Sequence, residues 1–330
     1  MSLAERLWNV LPSRLRDGLA DRRAWRYLAA AEQLPPLAVA SEDLAAEVHM
    51  MLSGYHIIRA LVALRTFYHH TALAETVGAM IHCDGTVSSA QKDYLLEQFP
   101  GVQFVDYPSS DNRLTRVLAP RPCCLRNYRL GISRQPKLLH PSVFARADKI
   151  ILLDSDVAFY ARPQRIMEWV SGVDPSPAYL VNWDQEASIP SSLPEIFATS
   201  FGSLTSHRGP FQIRHYCFDT GLLLYSRRRL SLDIVEDYYR WQASSPARKA
   251  PQMHWFHDEM LERTAYMLNF AAWEDARPFG REYVVGSAPA DVCNHFTNGG
   301  YYKEKSLLRM YEAVHEITAA SKQGGSGPHA

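Results

Sequence analysis

Read for its pattern of apolar and polar positions, the chain alternates short apolar runs with segments of helical period from residue 46 onward. Val48-His49-Met50-Met51-Leu52 predicts a strand closed by Ser53-Gly54, and Tyr55 to His70 a helix. Val77 to Cys83 predicts a second strand with Asp84-Gly85 as its turn, followed by a helix over Ser88 to Phe99. Val102 to Tyr107 predicts a third strand. Lys149-Ile150-Ile151-Leu152-Leu153 is an unbroken apolar run of the kind that central parallel strands show. Ala178 to Trp183 and Gly221 to Tyr225 read as further strands. Beyond about residue 255 the pattern turns helical, then irregular, then helical again from Lys303 to Ala320. Such alternation with short connections predicts an α/β domain: a mainly parallel, Rossmann-like sheet flanked by helices on both faces.

Ahead of this domain, Leu3, Leu7, Trp8, Leu11 and Leu15 recur at helical spacing among Arg6, Arg14 and Arg16, until Pro35-Pro36 breaks the segment. Residues 1–45 are therefore expected to form an N-terminal helical extension, 46–321 the main domain, and the Gly- and Ser-rich residues 322–330 a disordered tail. A basic amphipathic helix fits peripheral contact with the inner face of a membrane. The commoner use of such a helix is packing on its own domain or on a second subunit as a homodimer.

Composition narrows the classes. Thirty-five basic residues balance 35 acidic ones, so no field draws the chain to nucleic acid, which is not expected as a partner. The five cysteines are scattered and contain no C-x-x-C pair, which suggests neither a disulfide framework nor a zinc site. No stretch reaches the ~20 apolar residues of a membrane span. Glu5 and Arg6 stand where a signal peptide would place its apolar region, and a cytoplasmic location is expected.

The chemistry concentrates where the apolar strand ends. Ile150 to Leu153 runs into Asp154-Ser155-Asp156. Side chains alternate along a strand, so acids at i and i+2 can point the same way. In open α/β sheets ligands bind beyond the carboxyl ends of the strands. Two adjacent carboxylates repel, and a divalent cation makes the pair favourable. Oxygen ligands of this kind suit Mn²⁺ or Mg²⁺, which keep open positions for phosphates.

Around this pair, Lys137-Leu138-Leu139-His140-Pro141, the strand and Asp154-Ser155-Asp156 (a DXD motif) together resemble nucleotide-sugar glycosyltransferases of the GT-A fold. The likeness is greatest to the glycogenin-like family eight and its bacterial relatives. His82-Cys83-Asp84-Gly85 followed by Phe99-Pro100-Gly101 is similar to the same relatives. The resemblance implies that Asp154, Asp156 and a late histidine, here His295, hold the metal. It implies that Lys137 and Lys303 lie near the donor phosphates, that Asp84 reaches the nucleoside, and that Ser155 and Asp184 belong to the nucleotide-sugar site. Asp219, in Phe218-Asp219-Thr220-Gly221, stands where the family has an Asn that contacts donor sugar or acceptor. Asp258 and Glu259 stand where the family has Asp-Gln near the reacting carbon. Glu259 in place of Gln makes a carboxylate base conceivable, as inverting enzymes require. Around Lys303 the chain departs from the family, which follows its lysine with proline and tryptophan rather than Glu304.

The expectation is therefore a metal-dependent hexosyltransferase-like enzyme that moves a sugar from a nucleoside diphosphate, a UDP-sugar first of all, to a glycan, lipid-linked or other hydroxyl acceptor, as in polysaccharide biosynthesis. A sugar nucleotidyltransferase is the alternative enzyme, though Ser53-Gly54-Tyr55 is no Gly-rich phosphate loop. A catalytically inactive GT-A-like binding protein is the non-enzyme alternative.

Overall fold

A computed structural model describes residues 34–129, 135–183, 217–244, 275–286, 290–296, 309–310 and 312–318. The expected N-terminal helix and the C-terminal tail lie outside the described residues.

A seven-stranded sheet in the order β3-β2-β1-β4-β7-β6-β8 forms the centre. Its strands are β1 (Ala46–Leu52), β2 (Val77–Cys83), β3 (Gln103–Val105), β4 (Lys149–Leu153), β6 (Ala178–Val181), β7 (Phe218–Ser226) and β8 (Arg277–Pro278). β3, β2, β1 and β4 run parallel, β7 is antiparallel to both β4 and β6, and β6 pairs parallel with β8. The mainly parallel sheet predicted from the apolar runs is present, with reversed β7 inserted beside its central strand.

The central strand shows why the run Ile150 to Leu153 is apolar throughout. Ile151 and Leu153 enter one hydrophobic cluster and Ile150 and Leu152 the other, so alternate residues serve opposite faces. Over the first face lie helices α1 (Ile57–Thr71), α2 (Ser89–Gln98) and α6 (Gln164–Ser171), with the helical residues 312–318. Over the second lie α3 (Tyr107–Leu118), α4 (Pro122–Arg129), α5 (Gln135–Phe144) and α7 (Leu232–Ser244). Ser88 caps α2 in a reciprocal capping box with Gln91.

Three differences from the sequence reading matter for the site. The third strand is shorter than expected, because Tyr107 already belongs to α3. The three helices α3, α4 and α5 lie within residues 107–129 and 135–144, where the apolar pattern gave no element. Their segments are rich in Arg, Asn and Pro, and tertiary packing overrides so weak a local signal. A second sheet, in the order β5-β10-β9, joins Val157–Phe159, Cys293–His295 and Tyr283–Val285. Each of its strands is three residues long, too short for a periodic signal.

Candidate metal and donor site

Four stretches distant in sequence converge at the carboxyl end of β4. Asp154 continues that strand through its backbone N–H, which donates to the Gly221 carbonyl at 2.8 Å. By strand alternation its side chain takes the face of Ile150 and Leu152, the side covered by α5. There Lys137 of α5 places Nζ 2.7 Å from the Asp154 carboxylate and donates to Thr220 Oγ1 at 3.0 Å.

The small second sheet delivers the histidine. β10 pairs antiparallel with β5 so that His295 faces Val157, the residue after Asp156. The Phe296 N–H then donates to the Asp156 carbonyl at 2.9 Å. This register sets His295 Nε2 3.2 Å from Asp156 Oδ1 and 3.5 Å from Asp154 Oδ2. Ligand atoms from Asp154, Asp156 and His295 all lie within 4.8 Å of one another. Among the described residues this is the one cluster of three or more His, Cys, Asp or Glu side chains able to share an ion.

Behind the imidazole, Nδ1 lies 2.7 Å from Asp219 Oδ1, and Asp219 also accepts from the Gly221 N–H at 2.7 Å. The Asp219 carboxylate thus approaches Nδ1 as an ion pair, without aligned hydrogen-bond geometry, while Nε2 faces the acid pair, a disposition like that of metal-ligating histidines backed by a carboxylate. Gly221 makes the approach possible: a Cβ there would sit 2.3 Å from His295 Nδ1.

Electrostatics agree with a cation position. Burial alone would lower the His295 pKa, but Asp219 and then Asp156 outweigh it and hold the pKa well above the usual imidazole value. Burial would raise the Asp156 pKa, yet His295, Arg59 and Lys137 bring it below the ordinary carboxylate value. The side chains of Asp154 and Asp156 remain about a quarter exposed, so the pair is open on one side. Two carboxylates, an imidazole nitrogen and an open side suit a divalent cation with positions left for other ligands.

Of the sequence candidates, Lys137, Asp154, Asp156, Asp219 and His295 are brought together here, with Ser155 buried between the acids. Asp84 stands at the exposed end of β2, where it accepts from the Thr86 N–H at 2.9 Å and the Thr86 hydroxyl at 2.6 Å. Asp184, Asp258, Glu259 and Lys303 lie outside the described residues. Sequence reasoning missed Thr220, Gly221 and Arg59 as members of the site. The Asp-Thr-Gly run was visible, but only pairing with β4 shows that the hydroxyl meets Lys137 and the glycine meets His295.

No protein-family model matches the chain, and comparison with curated protein sequences finds no match. Solved structures do resemble it. The galactosyltransferase LgtC, bound to donor and acceptor sugar analogues, superposes with a TM-score of 0.52 at 12% identity over 82% of this chain and 95% of LgtC. The bifunctional glycosyltransferase WbbM does so at 0.50 and 13% identity, over 82% of this chain and 52% of WbbM. With this sheet order and these likenesses, the chain has the GT-A fold.

Proposed function

We propose that this chain is a metal-dependent glycosyltransferase that takes a nucleoside-diphosphate sugar, a UDP-sugar first of all, and passes the sugar to a hydroxyl acceptor. The observation that carries this reading is the Asp154, Asp156 and His295 cluster at the carboxyl end of β4, with Lys137 against Asp154, in a GT-A fold.

In this reading Asp154, Asp156 and His295 hold Mn²⁺ or Mg²⁺, which when bound neutralises charge on a departing diphosphate. Asp219 orients His295 through Nδ1, and Gly221 leaves room for the ring. Lys137, held by Asp154 and Thr220, sets a fixed cation beside the phosphate position, where pre-placed charge is worth most. Ser155 and Asp84 extend the donor site, with Asp184 and Lys303 as further donor contacts. Asp258 and Glu259 serve the reacting carbon, and Glu259 is the acceptor base if the product is inverted. The acceptor is a glycan or a lipid-linked sugar. Peripheral membrane contact or dimer formation through residues 1–32 belongs to the same proposal. Among the described residues, no helix is long and apolar enough to cross a membrane.

The deciding experiment incubates the chain with Mn²⁺ and a panel of nucleotide sugars and detects free nucleoside diphosphate. Release with a preferred donor, lost on chelation, supports the reading. Exchange between a sugar phosphate and a nucleoside triphosphate would mark a nucleotidyltransferase instead.

A further inference from the structure

A second cluster of ionisable groups lies buried beneath α5, away from the acid pair. Glu47 and His49 of β1, His82 of β2 and His140 of α5 are each at most 2% exposed. They form a chain: His49 Nε2 is 3.1 Å from Glu47 Oε2, His49 Nδ1 is 2.8 Å from His82 Nε2, and His82 Nδ1 is 3.1 Å from His140 Nδ1. Arg146, two residues beyond the end of α5, closes the other end. It donates to Glu47 from its backbone N–H at 2.9 Å and from Nε at 2.7 Å.

The chemistry fixes every proton. Burial alone would raise the Glu47 pKa, but His49 and then Arg146 bring it below the ordinary value, and the two hydrogen bonds from Arg146 keep the carboxylate an acceptor. His49 therefore donates from Nε2 and accepts at Nδ1. His82 then donates from Nε2 and accepts at Nδ1, so His140 donates from Nδ1. That leaves His140 Nε2 as a buried bare acceptor, and it has no partner among the described residues. Burial depresses all three pKa values, His140 to about 3, so the rings are neutral.

The chain binds α5 to β1 and β2 at mid-helix and just past its end. The helix needs such a tie at one place above all. Pro141 has no N–H to return to the carbonyl four residues earlier, which is that of Lys137. The backbone ladder therefore lacks the bond that would tie the Lys137 carbonyl, and His140 is one turn along on the same helix face.

We infer that Glu47, His49, His82 and His140 are positioning residues for Lys137, fixing the α5 turn that presents its ammonium at Asp154. This rests on the donor role proposed for Lys137.

The test has two arms. In the wild-type chain labelled with ¹⁵N-histidine, NMR at pH 7.5 should show the Nε2–H tautomer at His49 and His82 and the Nδ1–H tautomer at His140, with His140 unchanged down to pH 5.5. An Nε2–H form of His140, or titration of His140 within that range, overturns the inference. In donor-cleavage kinetics, His140→Leu should raise the donor KM about tenfold with kcat within about twofold. His140→Asn, whose amide can still donate to His82, should restore KM to within about twofold of wild type. Equal KM values for wild type and His140→Leu would overturn the positioning role, and the wild-type tautomers decide the chain even if that variant does not fold. A wild type inert towards every donor would remove the proposed function, while the tautomers still decide the histidine chain.

Discussion

Single residues carry the proposed ion chemistry. Asp156→Asn removes one anionic ligand but keeps the size of the side chain. Mn²⁺-dependent release of nucleoside diphosphate should fall by at least about a hundredfold, as read by donor-cleavage kinetics, with the unfolding midpoint little changed. Gly221→Ala makes a separate prediction. Its methyl would meet the His295 ring at 2.3 Å, so the ring must move off the acid pair. Calorimetric titration should show Mn²⁺ affinity reduced about 10- to 100-fold, the range for disturbing a ligand's support. At this scale the sequence was informative where chemistry is local. Asp154 and Asp156 are adjacent in the chain and follow an apolar run, so their pairing could be read directly. His295 and Lys137 came from resemblance, since nothing local marks either. Thr220, Gly221 and Arg59 were hidden because their importance lies in what stands opposite them.

The secondary-structure elements set how well these side chains are held. The capping box on α2 satisfies two orphan backbone donors at the helix start. Ser88→Ala should therefore cost about 1 kcal/mol in urea unfolding, with donor cleavage unchanged, because α2 lies on the face opposite α5. Elements were legible in proportion to their periodicity. β2 and β4 have the limits that their apolar runs suggest, and α1 and α2 agree to within two residues at each end. The helices α3 to α5 were not legible, because prolines at 108, 122, 136 and 141 and repeated arginines obscure their period. His82 and His140 were noticed as parts of motifs, but 58 residues separate them, and only the packing of α5 on β2 makes them neighbours.

For the whole molecule, the buried histidines imply acid sensitivity. A histidine with a depressed folded pKa gains its proton on unfolding once the pH drops below the unfolded value near 6.5. The unfolded state then binds more protons, so stability is lost as pH falls from about 6.5 towards about 3. For His140 alone the loss at pH 5 is about 2 kcal/mol. The groups facing it are His82 and, through the chain, His49, Glu47 and Arg146, with Arg113 stacked over the adjoining Phe144 ring. Urea midpoints at pH 7 and pH 5 should show the wild type losing more than His140→Asn. An equal loss in both would mean that His140 is already able to protonate in the folded chain.

The short strand β10 has a consequence of another kind. It carries the proposed ion ligand His295 yet contributes nothing to the pairing of the seven-stranded sheet, since its partners are β5 and β9. Cys293 and Phe296 of the same ribbon are nevertheless buried in the main hydrophobic cluster, so the strand that carries His295 is anchored by core packing. Mispairing of that one ribbon would withdraw the imidazole from the twin acids at the sheet's rim and uncover part of the core in the same step.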